Sequence, residues 1–193
     1  RPAPDPHAAH HGHGGHGGHS MEFWRLDSDA SFALSQDGLM DAPEMGQVLA
    51  SRASDLSQEP AKEDVLILAH GPADDAEDLR WKAELDERAN AVRALGFRHV
   101  QVETLREDWP EKRKEAEARI RDYVANAAAD GGRAIVIPFR VQGFGPYEKV
   151  LDGLAYASDG RGLVPHQSVV EWVRREAAML RGKLQEAAVA GTP

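Results

Sequence analysis

From Asp64 onward the sequence alternates short apolar runs with amphipathic stretches, and this alternation restricts the possible folds more than any other feature. The run VLILA (65–69) has the length of a strand, with charge before it and Gly71-Pro72 after it, and reads as a strand buried on both faces. Trp81, Leu85, Ala89 and Val92 then share one face of a helix within 76–95, with Gly96 placed to end it. Residues 98–105 (RHVQVETL) alternate and predict a second strand. Trp109, Ala116, Ile120, Val124 and Ala127 predict a helix started by Pro110 and stopped at Gly131-Gly132. RAIVIPF (133–139) predicts a third strand, the loop VQGFGP leads into a short helix near 146–156, and GLVP (162–165) suggests a fourth strand. Val169, Val173, Ala177, Leu180 and Leu184 mark the buried face of a closing helix. The expected fold is α/β, an open, mainly parallel four-stranded sheet with helices on both faces.

Upstream of this pattern the chain changes character twice. Residues 1–20 are Pro, Gly, His and Ala without apolar periodicity, a composition that cannot bury enough surface to offset the entropy of ordering, so a disordered tail is expected there. Residues 21–61 carry eight acids against Arg25 and Arg52, while the rest of the domain is close to charge balance. Within this acidic extension a short strand or hairpin is plausible near 22–34. Pro43 with Met45, Val48 and Leu49 predicts a helix from about 43 to 56. The expected organisation is thus a tail (1–20), an acidic extension with a short helix (21–61), an α/β domain (62–188) and a C-terminal tail (189–193).

A net charge of −9 argues against a nucleic-acid surface, and no apolar run approaches the ~20 residues of a membrane span. With no cysteine, any transition-metal site must use imidazole, carboxylate or backbone oxygen. Imidazole is concentrated: His7, His10, His11, His13, His16 and His19 lie in the first twenty residues, and His70, His99 and His166 are the remainder. Clustered imidazoles on glycine spacers can wrap Ni, Cu, Zn or Co with little discrimination. A purification tag is the alternative origin of such a stretch. The chain begins at Arg1 followed by Pro-rich sequence, which raises removal of an export leader as a hypothesis.

Ligands of open parallel sheets bind beyond the carboxyl ends of the strands. The candidates are therefore His70-Gly71-Pro72 after the first strand, Arg106 to Asp108 after the second, Arg140 to Tyr147 after the third and His166 after the fourth. His70 is where a metal ligand or general base would be presented. His166 reads equally well as a site residue and as a helix N-terminal residue before Gln167 and Ser168. His99, at the far end of its strand, reads as structural. HGPADD puts acids where a phosphate cradle needs backbone donors, so no nucleotide is expected, and no GxSxG elbow supports a serine hydrolase.

The string VLILAHGP, followed by acids, a helix, the RHVQVETL strand, a second helix and AIVIPFRVQGFGPYEKVLDGL, resembles the class II chelatases of the CbiX and SirB type. GLVPHQSVVEWV is similar to that family's last strand-to-helix segment, so the likeness runs over residues 63–182 in order. The resemblance implies a short, single-repeat sirohydrochlorin cobaltochelatase or ferrochelatase that works as a homodimer in the cytoplasm and inserts cobalt, iron or nickel into a tetrapyrrole. It implies that His70 takes the metal and accepts a pyrrole proton, with insertion weakening as pH falls through the histidine range. The family's second histidine, expected after the third strand, is missing: the segment reads QGFGPYEK. Glu148, with Tyr147 the nearest oxygen group, is the candidate catalytic oxygen, His166 a candidate imidazole from the neighbouring strand end, and Arg140, Tyr147 and Gly71 the candidate substrate contacts; for Arg140, Tyr147 and Glu148 a solvated loop and helix start is the equal alternative. The divalent metal (Co, Ni, Fe or Zn) would be substrate or ligand. Two other readings remain open: a non-catalytic metal-binding or metallochaperone protein using the His-rich tail, which an exported, periplasmic location would suit, and a catalytically silent dimerisation domain.

Overall fold

A computed structural model describes residues 27–190. Its elements are α1 (Pro43–Leu56), β1 (Glu63–Ala69), α2 (Asp75–Arg93), β2 (His99–Thr104), α3 (Pro110–Ala129), β3 (Arg133–Pro138), α4 (Tyr147–Val150) and α5 (Gln167–Ala190). The three strands form one parallel sheet in the order β2-β1-β3. Ala69 of β1 is level with Thr104 of β2, and Leu68 is level with Pro138 of β3, so the carboxyl ends of all three strands finish at one edge.

β1 explains the layering. Every residue of it is buried, and its side chains alternate between the two faces. Val65, Ile67 and Ala69 join Met45, Val48 and Leu49 of α1 and Leu85, Ala89 and Val92 of α2. Leu66 and Leu68 join Ala116, Ile120 and Val124 of α3 and Tyr147 and Leu151 of the α4 region. Helices thus cover both faces. α1 occupies the range in which Pro43 and the Met45, Val48, Leu49 spacing place a helix, and it supplies a wall of the core next to α2.

Three expectations about local structure are corrected. GLVP is not a strand: among the described residues the sheet has three strands, and β3's outer edge instead meets the chain at a single parallel bridge, Ile135 with Ala157. Pro165 has no N–H to extend a ladder, and Gly162 packs where a side chain would collide, its Cβ position lying 2.5 Å from the Arg140 carbonyl oxygen. The segment expected as a helix over 146–156 is helical only through Val150, then turns at Gly153 (φ +79°). On α5 the inward stripe is Val169, Trp172 and Glu176 rather than Val169, Val173 and Ala177; Val173 is 51% exposed. Glu176 tolerates burial because Ser35 donates to its Oε2 at 2.5 Å and Arg175 lies 2.8 Å from its Oε1. In the expected hairpin region, residues 27–34 contain no strand, and residues 22–26 lie outside the described residues, as do the six tail histidines.

At the amino edge of the sheet two buried carboxylates are held by cations. Burial raises the pKa of Glu63, but hydrogen bonds from Ser57 and the Gln58 N–H and the charge of Arg133 outweigh it and leave the group below its ordinary value of 4.5. Asp64 behaves alike: burial raises it, and the Arg98 fork, at 2.7 and 2.8 Å, with His99 at 3.1 Å lowers it further. A carboxyl whose pKa is lower in the folded state binds fewer protons there, so its stabilisation is complete above the unfolded pKa and is lost as pH falls through the folded one. The urea midpoint should therefore hold steady above about pH 5 and decline below about pH 4. Asp64→Asn should flatten that decline; an unchanged slope would show that the Asp64–Arg98 pair does not contribute.

Candidate functional site

The site forms where the three strands end. β1 passes directly into His70, and the backbone pairing continues one step past the strands: Leu105 N–H donates to the Ala69 carbonyl at 2.9 Å and Arg106 N–H to the His70 carbonyl at 2.7 Å. At that point the second chain turns sharply. Arg106 has φ +57°, a left-handed conformation unusual for a side chain this large. Its buried guanidinium pins the turn by donating to the Pro72 carbonyl, to the Ala73 carbonyl at 2.6 Å and to Asp75 at 2.9 Å, with Asp78 at 3.3 Å. The turn delivers Glu107 and Asp108 to the histidine.

His70 is oriented from both sides. Its Nδ1 lies 2.8 Å from the Gly71 carbonyl oxygen, which can only accept. Nε2 faces Asp108 Oδ2 at 3.1 Å and Glu107 Oε2 at 3.9 Å. Both ring nitrogens thus face acceptors, and the tautomer with its proton on Nδ1 leaves an Nε2 lone pair opposed to a carboxylate, an arrangement that a proton or a cation completes. The ring edge packs against Trp109, centroids 6.1 Å apart, and the side chain is 40% exposed. Gly71 makes this possible through its backbone: it has φ +83°, and a Cβ there would stand 2.7 Å from the Cβ of Thr104.

From the end of β3, Arg140 donates to Glu107 through Nη1 and lies over the Tyr147 ring, its Cζ 5.8 Å from the centroid. Tyr147 is fully buried, and burial, reinforced by the Glu107 charge, pushes its phenol well above the ordinary tyrosine pKa. His70, Arg140 and Tyr147 thus meet through Glu107. The other candidates stand apart. Glu148 is exposed on α4 and makes no hydrogen bond or ion pair with the cluster among the described residues. His166 caps α5: its Nδ1 accepts from the Ser168 N–H at 3.1 Å, and it lines a separate cleft with Val164 and Val170. His99 pairs with Asp64 at the opposite edge of the sheet. Among the described residues no three His, Asp or Glu side chains are already placed to enclose a metal ion.

Two clefts flank His70 and share its ring, Phe139 and Val141. One, of about 260 Å³, is mostly apolar and is closed by Leu39 and Met40 from the segment before α1. The other, of about 330 Å³, runs along Arg140 and Gln142. A larger cleft of about 640 Å³ lies at the amino edge, but its charged groups Asp64 and Arg98 already satisfy one another, so it is the weaker candidate. Sequence reasoning named the 106–108 segment without singling out Glu107 and Asp108. Position immediately after β2 was the one signal that marked them.

No protein-family model and no curated protein matches the sequence. Among solved structures the chain is similar to the multi-domain protein DR2241 of Deinococcus radiodurans, described as having structural similarity to chelatases together with two additional novel domains. The likeness has a TM-score of 0.47 and 22% identity over 72% of this chain and 30% of that one. This chain therefore spans less than a third of that protein's length.

Proposed function

We infer that the chain is a chelatase-like protein that passes a divalent metal ion, cobalt, iron or nickel, to a sirohydrochlorin-type tetrapyrrole. The observation that carries this reading is His70 Nε2 facing Asp108 at 3.1 Å and Glu107 at 3.9 Å on the rim of an apolar cleft. Such a set attracts a divalent ion while binding it through few protein ligands, which suits a metal that must leave again. Insertion also releases two pyrrole protons for each ion taken up, and the imidazole and carboxylates are the acceptors at hand. The apolar cleft, of about 260 Å³, has room for one edge of a flat macrocycle, and Arg140, now paired with Glu107, lies beside it within the site for a peripheral carboxylate. In this reading Glu148 and His166, which stand apart from the cluster, have no part in insertion, and a second copy of the chain completes a homodimer.

Full-length protein mixed with sirohydrochlorin and Co²⁺, Ni²⁺ or Fe²⁺ should form the metallated pigment faster than a protein-free blank. Rates equal to the blank with all three metals would end the enzyme reading. A metallochaperone is the second reading, favoured by the lack of an imidazole in QGFGPYEK and by the outward position of Glu148. It requires tight metal binding by the full chain with no change in the pigment's absorption on titration with protein.

Among the described residues no helix is long and apolar enough to cross a membrane.

A further inference from the structure

Glu107 is shared by two claimants. Its Oε1 accepts from Arg140, and its Oε2 stands 3.9 Å from His70 Nε2. Two nitrogen or oxygen ligands about 2.0–2.2 Å from one tetrahedral ion are roughly 3.4 Å apart. Asp108, at 3.1 Å from His70, already lies within that separation; Glu107 falls short by about half an ångström and is held there by Arg140. Arg140 in turn has a fixed seat. A Cβ on Gly145 (φ +64°) would lie 2.7 Å from the guanidine Nε, so glycine at that position lets the side chain lie flat against the loop and over Tyr147. Beneath the pair, the Tyr147 hydroxyl is fully buried within reach of both Glu107 and Arg140 but without a hydrogen bond of good geometry to either. A buried phenol without an acceptor is costly, and the nearest carboxylate is the one Arg140 occupies.

We propose that the Arg140–Glu107 pair is a carboxylate-operated latch on the metal position. An incoming carboxylate takes Arg140, Glu107 is released, its Oε1 accepts from the Tyr147 hydroxyl, and its Oε2 joins His70 Nε2 and Asp108 around the ion. The idea rests on the reading above that His70 takes a divalent metal. It adds that the metal is held loosely until an anionic partner docks, after which a second anionic ligand is supplied. Metal and carboxylate binding then strengthen one another by the same factor, as linkage requires.

Co²⁺ titrations of the full-length chain test this without any insertion assay. Every variant keeps the same histidine-rich tail, and His70→Ala reports what the tail binds alone. Arg140→Met, which frees Glu107 permanently, should tighten the His70-dependent binding about tenfold. Glu107→Gln should weaken it, and Arg140→Met added to Glu107→Gln should change nothing further. The latch is overturned if Arg140→Met leaves Co²⁺ affinity unchanged or lower, or if it tightens binding equally in the Glu107→Gln background, which would mean that removing a positive charge is the whole effect. Arg140→Gln serves as the second variant should the methionine perturb the circular dichroism spectrum, and the same outcomes apply to it. A chain that shows the full cycle but inserts no metal keeps the latch and loses the chelatase reading. A chain that inserts metal but shows no cycle does the reverse.

Discussion

His70→Ala is expected to slow metal insertion by about 10²–10⁴-fold, the range for loss of a positioned acid–base group. The effect should be large because the ring performs two tasks with one atom. Nε2 is the nitrogen that faces the carboxylate pair, so in the proposed function it serves both as the metal donor and as the nearest proton acceptor. With its proton on Nδ1 the ring donates to the Gly71 carbonyl, and exchanging the roles of its two nitrogens would lose that bond. Initial rates followed by the absorption of the metallated pigment would measure the loss, with far-UV circular dichroism to confirm the fold. His166→Ala provides the contrast. It removes the acceptor for the Ser168 N–H at the start of α5, so it should lower stability by about 1 kcal/mol and leave the insertion rate where it was. A His70→Ala protein as fast as wild type would move the centre elsewhere on the molecule.

Gly71→Ala should cause a large loss of stability. A left-handed backbone costs an L-residue about 1–2 kcal/mol, and Gly71 has φ +83°. The added methyl would also stand 2.7 Å from the Thr104 Cβ and 3.0 Å from the Arg106 Cδ, in a buried region where overpacking costs about 1–3 kcal/mol more. The sum, about 2–5 kcal/mol, corresponds to a fall in Tm of roughly 5–20 °C for a chain of this size. Gly96→Ala separates the two causes. Gly96 has φ +82° but nothing within 4 Å of the added carbon, so only the backbone cost applies. Equal Tm losses for the two variants would show that crowding at Thr104 is relieved by local movement. Metal affinity should fall in the Gly71 variant even well below its Tm, since moving that carbonyl turns the imidazole.

The route to the site was legible in the sequence in proportion to how strongly one residue type constrains its surroundings. VLILA could be little else than a central strand, and a histidine followed by Gly-Pro at its end was bound to emerge at the carboxyl edge. Glu107 and Asp108 are two of many acids, and composition cannot mark them. What places them opposite His70 is the left-handed turn at Arg106, a conformation no arginine announces in sequence. The fourth strand failed for a related reason. GLVP has the apolar content of a strand, but four residues with glycine at one end and proline at the other offer few ladder donors, and Ala157 bridges the edge of β3 instead. On α5 a spacing of four hid the true stripe, because exposed Val173 and Ala177 satisfy the same periodicity as half-buried Leu180 and Leu184. A buried Glu176 cannot be expected from apolar periodicity at all.

Arg106 also sets how the site can open. Its guanidinium ties the loop after β1, through Pro72, Ala73 and Asp75, to the loop after β2, on which it resides itself. The histidine is carried by the first loop and the two carboxylates by the second, so neither half can swing away while that tie holds. In hydrogen-exchange terms the amides of the two loops should share one opening free energy and behave as a single cooperative unit, separate from the fraying ends of α5. His70 and its two facing carboxylates are then present together or absent together, and a half-assembled cluster has no conformation of its own to occupy.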